Sequence, residues 1–140
     1  MIRKIFAVIL GIIAGGVFNM ALINVSNVVY PLPEGVDPND FESFRAHVEA
    51  NGLPTGALLI VLMAHAGGSF VGGAAVGLIA MRPWYVAAAI IGVLWMCGGI
   101  AMLIMLPAPI WFAIADIVLY VPAALLGVKL GGTLTQPSPA

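Results

Sequence analysis

Charged side chains are scarce in this sequence of 140 residues: they make up 8% of it, whereas 62% of the residues are hydrophobic. Soluble globular domains have about a quarter charged and about half apolar residues, so the composition excludes an ordinary soluble domain. Cysteine is almost absent too. The single one, Cys97, excludes an intrachain disulfide and a metal site made of cysteines alone. These shortages together indicate an integral membrane protein.

What the sequence does contain is four long apolar runs, at about residues 5–29, 55–81, 84–106 and 109–130. A helix needs about 20 apolar residues to cross a hydrocarbon core about 30 Å thick. The strands of a transmembrane barrel would instead alternate in polarity over about ten residues. We therefore expect an all-α fold, a four-transmembrane-helix bundle that forms a single domain over residues 1–140, with a loop at 30–54 and a tail at 131–140.

The loop at 30–54 includes the segment "DPNDFESFRAHVEANG", which has the pattern of a short amphipathic helix. Asp37 is predicted to be its N-cap, Pro38 its first residue and Asn51-Gly52 its end. Three apolar side chains fall on one face: Phe41, Phe44 and Val48. This helix is expected at the membrane surface, either as a cover over a pocket or as an interfacial anchor.

The few charges are distributed unevenly along the chain. The loop at 30–54 carries five acidic residues against one basic one. The other basic residues flank the remaining ends of the spans: Arg3, Lys4, Arg82 and Lys129. Because lysine and arginine accumulate in cytoplasmic loops, both termini are predicted to be cytoplasmic, in a bacterial inner membrane, and the loop at 30–54 to face outward.

Small residues recur at helical spacing within the spans. Lipid tails are as apolar as leucine, so close packing between small residues drives much of helix association in a bilayer. The predicted packing positions of this glycine-zipper pattern are Gly11, Gly15, Gly73, Gly77, Gly127 and Gly131. Their number also predicts self-association into a homo-oligomer, or association with a larger membrane complex, through the glycine faces that remain.

The polar residues of the spans continue the same stripes. Asn19 extends the first stripe, Ser69 and His65 the second, and Tyr120 and Asp116 the last. At about 1.5 Å per residue, Asn19 and His65 lie roughly 15 Å, and Asp116 roughly 10 Å, below the outer ends of their helices. Charges at that depth are costly unless they are paired. We therefore predict that His65 and Asp116 are partners, with the other three residues as further binding groups.

Two functional interpretations of this cluster remain open. It can form a small outward-opening pocket that binds or passes a small polar solute or protons, because an imidazole beside a carboxylate can exchange protons at physiological pH. It can instead be structural, since interhelical hydrogen bonds contribute about 0.6–2 kcal/mol, in a non-catalytic accessory or scaffold subunit of a larger complex. The spans contain no nucleophile–base pair that would indicate an enzyme.

Metal and cofactor chemistry is disfavoured. Several methionines and Cys97 could supply soft ligands to copper(I), but methionine is a common filler of apolar cores. Of the two histidines, His47 falls in the outer loop, so one chain offers no bis-histidine haem site within the bundle. No metal, cofactor or nucleic-acid partner is therefore expected, and the expected surroundings are the lipid bilayer.

Two segments carry a resemblance to a known group. They are "LMAHAGGSFVGG" at 62–73 and "GGIAMLIMLPAPIWFAIADIVLYVPAALLG" at 98–127. With them the chain resembles an uncharacterised family of small bacterial four-span integral membrane proteins. The resemblance implies the four-span topology and implies no activity.

Overall fold

The computed structural model describes residues 2–37 and 39–136, which form five helices. Their bounds are α1 Ile2–Val29, α2 Phe41–Asn51, α3 Thr55–Ala80, α4 Tyr85–Met105 and α5 Ile110–Leu134. These two ranges contain no strand. Four of the helices, α1, α3, α4 and α5, are long and apolar enough to cross a membrane. The fold is thus all-helical and indicates a multi-pass membrane protein.

The long helices begin and end close to the predicted limits, except at the two ends of the chain. α1 begins at Ile2, and α5 continues through Gly131 and Gly132 to Leu134 instead of ending at 130. The helix continues because both glycines are buried against the α3–α4 region, where Gly131 meets the backbone of Ala74. Residues 137–140 of the predicted tail lie outside the described residues.

The N-cap of α2 is Asp40, so the prediction of Asp37 is wrong. The Asp40 side chain accepts a hydrogen bond from the backbone N–H of Glu42 at 3.2 Å. Asp37 caps a separate turn, where its carboxylate accepts from the backbone N–H of Asn39 at 2.8 Å. The predicted first helical residue, Pro38, lies outside the described residues. The helix ends at Asn51, as predicted, and the C-cap residue Gly52 has a φ of 69°, which suits glycine.

α2 also carries an exposed ion pair on its surface. The side chain of Arg45 donates a hydrogen bond to Glu49, one helical turn later, at 2.7 Å. This hydrogen bond and the negative charge of Glu49 raise the pKa of Arg45 above its ordinary value. Both side chains are about half exposed, so the pair adds little to stability.

α3 is the central helix, because it contacts α1, α4 and α5. Its contact with α1 is a reciprocal pairing of glycines. A Cβ added to Gly11 would lie 2.8 Å from the carbonyl oxygen of Gly72, and one added to Gly72 would lie 2.9 Å from that of Gly11. Gly15 and Gly68 face each other in the same way. The two backbones therefore approach too closely for any larger residue.

The contact of α3 with α5 uses a second set of glycines. On α3, Gly73 meets the backbone of Ala124 and Gly77 meets that of Val128. On α5, Gly127 meets the backbone of Phe70, and Gly131 meets that of Ala74. All six glycines predicted to pack thus lie at contacts between helices.

The molecule has two unlike halves. We call the end where α1 and α4 finish and α3 and α5 begin the α2 end, and the opposite part the packed half. The core of the packed half is fully buried and consists of Val76, Ala87, Ala88, Ile91, Ala124 and Val128. Towards the α2 end, a smaller apolar cluster contains Leu58, Leu62 and Phe112. The candidate site lies between these two clusters.

Candidate ligand-binding site

His65 of α3 and Asp116 of α5 are joined directly. The distance from His65 Nδ1 to Asp116 Oδ1 is 2.6 Å. The Asp116 side chain is 1% exposed, whereas that of His65 is 17% exposed. The helical spacing that predicted this pairing is therefore realised in the structure, and the carboxylate is the more deeply placed of the two groups.

Tyr120, one turn beyond Asp116 on α5, completes a three-residue cluster. Its hydroxyl donates to Asp116 Oδ2 at 3.2 Å and lies 2.7 Å from His65 Nδ1. Its ring stacks on the imidazole, with the ring centres 5.4 Å apart and the planes 26° from parallel. Gly99 of α4 makes room for it, because an added Cβ there would collide with the Tyr120 hydroxyl.

The hydrogen positions follow from the geometry of this cluster. Nδ1 faces two oxygens, but a single ring nitrogen can donate only one hydrogen. The shorter contact, at 2.6 Å, is to the carboxylate, and charge-assisted bonds are the stronger ones. We therefore assign the Nδ1 contact to a bond with Asp116 Oδ1, while the Tyr120 hydroxyl donates to Oδ2. Both carboxylate oxygens are then satisfied.

A cavity of about 940 Å³ lies above this cluster, towards the α2 end. All five helices contribute to its wall, and it is partly open to the surface. His65 and Asp116 line its deep end, and most of the wall is apolar. The polar side chains around it include Asn19, Asn27, His47 and Asn51. The cavity is thus an apolar pocket with a polar floor.

The other predicted site residues take different places. Asn19 lines the cavity from α1, and its Oδ1 is buried without a hydrogen-bond partner among the described residues. Ser69 and Tyr120 are buried and do not line the cavity, because each lies one turn deeper than His65 or Asp116. Ser69 Oγ likewise finds no partner within the described part of the chain. The structure therefore gathers three of the five predicted residues at the cavity and puts two beneath it.

Several residues at the site were not predicted from the sequence. Leu58 of α3 and Leu103 of α4 line the cavity. From α2, Phe44 and Val48 line the cavity, whereas the sequence left open whether their helix covers a pocket or is an interfacial anchor. Which apolar residues line a cavity depends on helix rotation and tilt, which the apolar pattern of a membrane helix does not specify.

The cluster is suited to hydrogen bonding and proton exchange. Within residues 2–37 and 39–136, no three or more His, Cys, Asp or Glu side chains come together as a metal site would require. No protein-family model, curated protein or solved structure matches the chain. Its function is therefore argued from the geometry of the site.

Proposed function

We propose that this chain is a multi-pass protein of a bacterial inner membrane that binds a small solute through a polar group, or takes up protons, in a pocket opening outward above His65 and Asp116. The observation that carries the proposal is the buried histidine–carboxylate pair at the floor of a cavity of about 940 Å³. This volume is in the upper part of the range of about 300–1,000 Å³ that small-molecule sites occupy.

The outward orientation is supported by the charges at the two ends of the molecule. The linker before α2 and α2 itself are rich in acidic residues, whereas basic residues gather at the opposite end. There, Arg3 donates to the carbonyl of Ile79 at 2.6 Å, and Lys4 Nζ lies 5.3 Å from the centre of the Trp84 ring. Since basic ends stay in the cytoplasm, both termini are cytoplasmic and α2 covers the pocket on the outer side.

Binding is favoured over passage by the packed half of the molecule. Below the His65–Asp116 pair the helices enclose a fully buried apolar core that includes Val76, Ile91 and Val128. Helix pairs there approach to backbone contact, as at Gly77. A polar solute or an ion would have no hydrogen-bonding partner along such a path. The pocket is therefore not reached through the packed half.

Cysteine accessibility tests this proposal. In a Cys97→Ser background, we compare Val61→Cys, which lines the cavity, with Val76→Cys in the packed core. Intact cells are treated with a membrane-impermeant, uncharged methanethiosulfonate reagent that carries a sugar group, and labelling is followed by mass spectrometry. Val61→Cys is expected to react from outside because the cavity opens there, and Val76→Cys is expected to stay unmodified.

Two results would overturn the proposal. If Val61→Cys reacts only in inverted membrane vesicles, the orientation is reversed and the pocket opens to the cytoplasm. If it reacts in neither preparation while the same cysteine reacts after detergent denaturation, water does not reach the cavity and the His65–Asp116 pair is a structural hydrogen bond.

A further inference from the structure

One ring nitrogen of His65 is left for a ligand. Nδ1 is used by Asp116 and Tyr120, whereas Nε2 has no hydrogen-bond partner among the described residues. The fully enclosed polar atoms that lack a partner among the described residues are Asn19 Oδ1, Ser69 Oγ and Trp95 Nε1. Nε2 is not one of them, so it is not fully enclosed by the protein. Because His65 lines the cavity and its side chain is 17% exposed, Nε2 is the part of the cluster that a molecule in the cavity meets.

Charge balance determines what Nε2 offers. Among the described residues that line the cavity there is no lysine or arginine, and the second histidine, His47, lies on α2 at the far end from the floor. His65, in direct contact with Asp116, is therefore the group that compensates its charge, and an uncompensated buried carboxylate is costly. A neutral pair holds one proton between Nδ1 and Oδ1, on either atom. If that proton is on Nδ1, the ring is an imidazolium and Nε2 carries a hydrogen. If it is on Oδ1, the neutral ring must carry its hydrogen on Nε2.

Nε2 is therefore a hydrogen-bond donor in both arrangements, and the matching ligand group is an acceptor. At the floor an anion is disfavoured because the only positive charge that His65 can offer there is already matched by Asp116, and His47 lies on α2 at the other end of the cavity. An ammonium group is disfavoured because it would meet a donor, while Asp116 is only 1% exposed and each of its oxygens already has a hydrogen-bond partner. The group that fits is a neutral oxygen acceptor, of which a carbonyl is the simplest.

The remainder of the cavity fits an apolar chain or ring. The wall between the floor and the α2 end is formed mainly by apolar side chains, such as Ile23, Leu58 and Leu103. Met20 of α1 and Met102 of α4 line the cavity and are also 57% and 44% exposed at the surface of the protein. Methionine side chains are flexible and adapt to irregular apolar ligands.

The small interface between α1 and α4 is the place where such a molecule would enter from the bilayer. Helices α1 and α4 share a smaller interface than α3 shares with any of the other long helices. It includes Trp95 against Gly15 and Gly16. Nearer the α2 end, the same two helices line the cavity through residues such as Ile23 and Met102.

We infer that the ligand of this pocket is a neutral amphipathic carbonyl compound, whose carbonyl oxygen accepts a hydrogen bond from His65 Nε2 and whose apolar chain or ring lies along the upper wall. This inference rests on the proposed function and specifies the ligand class for the same site. The carbonyl end lies deepest, against the floor, and the apolar part extends towards the α2 end. No covalent step is involved.

Three matched probes test the inference: dodecan-2-one, dodecane, which lacks the carbonyl, and butan-2-one, which lacks the chain. Each is added to proteoliposomes that contain the Cys97→Ser, Val61→Cys protein, and the rate of labelling by the same uncharged methanethiosulfonate reagent is measured. Dodecan-2-one is expected to slow labelling by occupying the cavity, and the other two are expected to have a weaker effect at equal membrane concentration. With a ¹³C-labelled carbonyl, the bound ketone is also expected to show an infrared carbonyl band shifted to lower frequency.

His65→Leu in the same background removes the donor. It is expected to raise the ketone concentration needed for half-protection by about two- to tenfold, the loss that corresponds to one neutral hydrogen bond, and to abolish the shifted carbonyl band. Val76→Cys, introduced beside His65→Leu in place of Val61→Cys, reports whether this variant is still folded, because a cysteine in the packed core stays unmodified only in the folded protein. Ala57→Phe is a second variant, which leaves the pair intact and fills the wall of the cavity; it is expected to weaken protection by dodecan-2-one.

The outcomes separate this inference from the proposal on which it rests. Labelling of Val61→Cys that no probe slows would overturn the inference and leave an outward-opening pocket in place. Equal protection by dodecane and dodecan-2-one, unchanged by His65→Leu, would show an apolar cavity without carbonyl recognition. Absence of labelling in the unliganded protein would overturn both.

Discussion

At the scale of single residues, the main feature is a carboxylate that is almost completely enclosed and fully hydrogen-bonded. Asp116 is 1% exposed, and its two oxygens are matched by His65 Nδ1 and the Tyr120 hydroxyl. A buried charge is tolerated only when its desolvation is offset by such partners. Tyr120 therefore contributes by completing the hydrogen bonds of Asp116, even though it does not touch the cavity.

Replacement of Tyr120 by phenylalanine tests this contribution. Tyr120→Phe keeps the ring stacked near His65 but leaves Asp116 Oδ2 without its donor, and we expect a loss of about 1 kcal/mol in the free energy of unfolding. The control is Tyr85→Phe, because Tyr85 is 47% exposed and its hydroxyl makes no hydrogen bond within the described ranges. Unfolding of both variants is measured in mixed micelles as a function of the mole fraction of sodium dodecyl sulfate. Equal stability of the two variants would mean that Oδ2 is satisfied in another way.

The pairing of His65 with Asp116 could be predicted from the sequence because both residues continue glycine stripes at helical spacing, and those stripes face neighbouring helices. The same reasoning grouped Ser69 with them, yet the structure puts Ser69 below the floor of the cavity. Spacing along one helix gives the face on which a residue lies. It does not give the depth at which the neighbouring helices close, which depends on contacts such as that of Gly99 with Tyr120.

At the scale of helices, the glycines divide α3 into two contact faces. Gly68 and Gly72 meet α1, whereas Gly73 and Gly77 meet α5. Each face permits contact between backbones, so dispersion forces and close packing can hold the helices together where burial of apolar surface from water is not available. α3 is central because it is the helix that offers small residues on both sides.

Gly127→Ala tests the contact between α3 and α5. An added Cβ would collide with the backbone carbonyl of Phe70, which cannot move without displacing α3. The matched control is Gly98→Ala, in an exposed stretch of α4 where an added Cβ meets nothing within 4 Å. Alanine favours a helix by up to about 1 kcal/mol over glycine. In the same micelle assay, we therefore expect Gly127→Ala to lower the unfolding midpoint and Gly98→Ala to maintain or raise it. A stabilised Gly127→Ala protein would contradict the close contact.

The limits of the helices show where local sequence is sufficient and where it is not. Long apolar runs predicted where the four long helices begin and end to within a few residues, because length and hydropathy are properties of a single segment. The start of α2 was misassigned because Asp37 and Asp40 are both acceptable N-caps, and only the turn between Asp37 and Asn39 distinguishes them. The extension of α5 depends on Gly131 and Gly132 being covered by another part of the chain, which no local signal reports.

At the scale of the whole molecule, the two halves differ in packing. The packed half is closed by residues that are fully buried, whereas the α2 end encloses a cavity and has wall residues that are only partly covered. The total length of apolar sequence is similar in every span, so composition alone predicts no such difference. It arises because glycine contacts bring the helices together in one half, whereas larger side chains line the space between them at the α2 end.

Removal of the same amount of apolar side chain should therefore cost more in the packed half than at the cavity. Ile91→Ala empties a site that is fully enclosed. We expect it to lower the free energy of unfolding by about 2 kcal/mol, the lower end of the range for such truncations. The lower end applies because the unfolded helices remain in micelles or lipid, so less apolar surface is transferred to water on unfolding. Leu103→Ala removes the same number of carbon atoms from a half-buried residue that already borders open space, so fewer contacts are lost and the expected cost is smaller. Both are measured in the dodecyl sulfate assay. Equal costs would mean that the cavity is closed and packed in the folded protein, and the pocket on which the proposed function depends would then be lost with it.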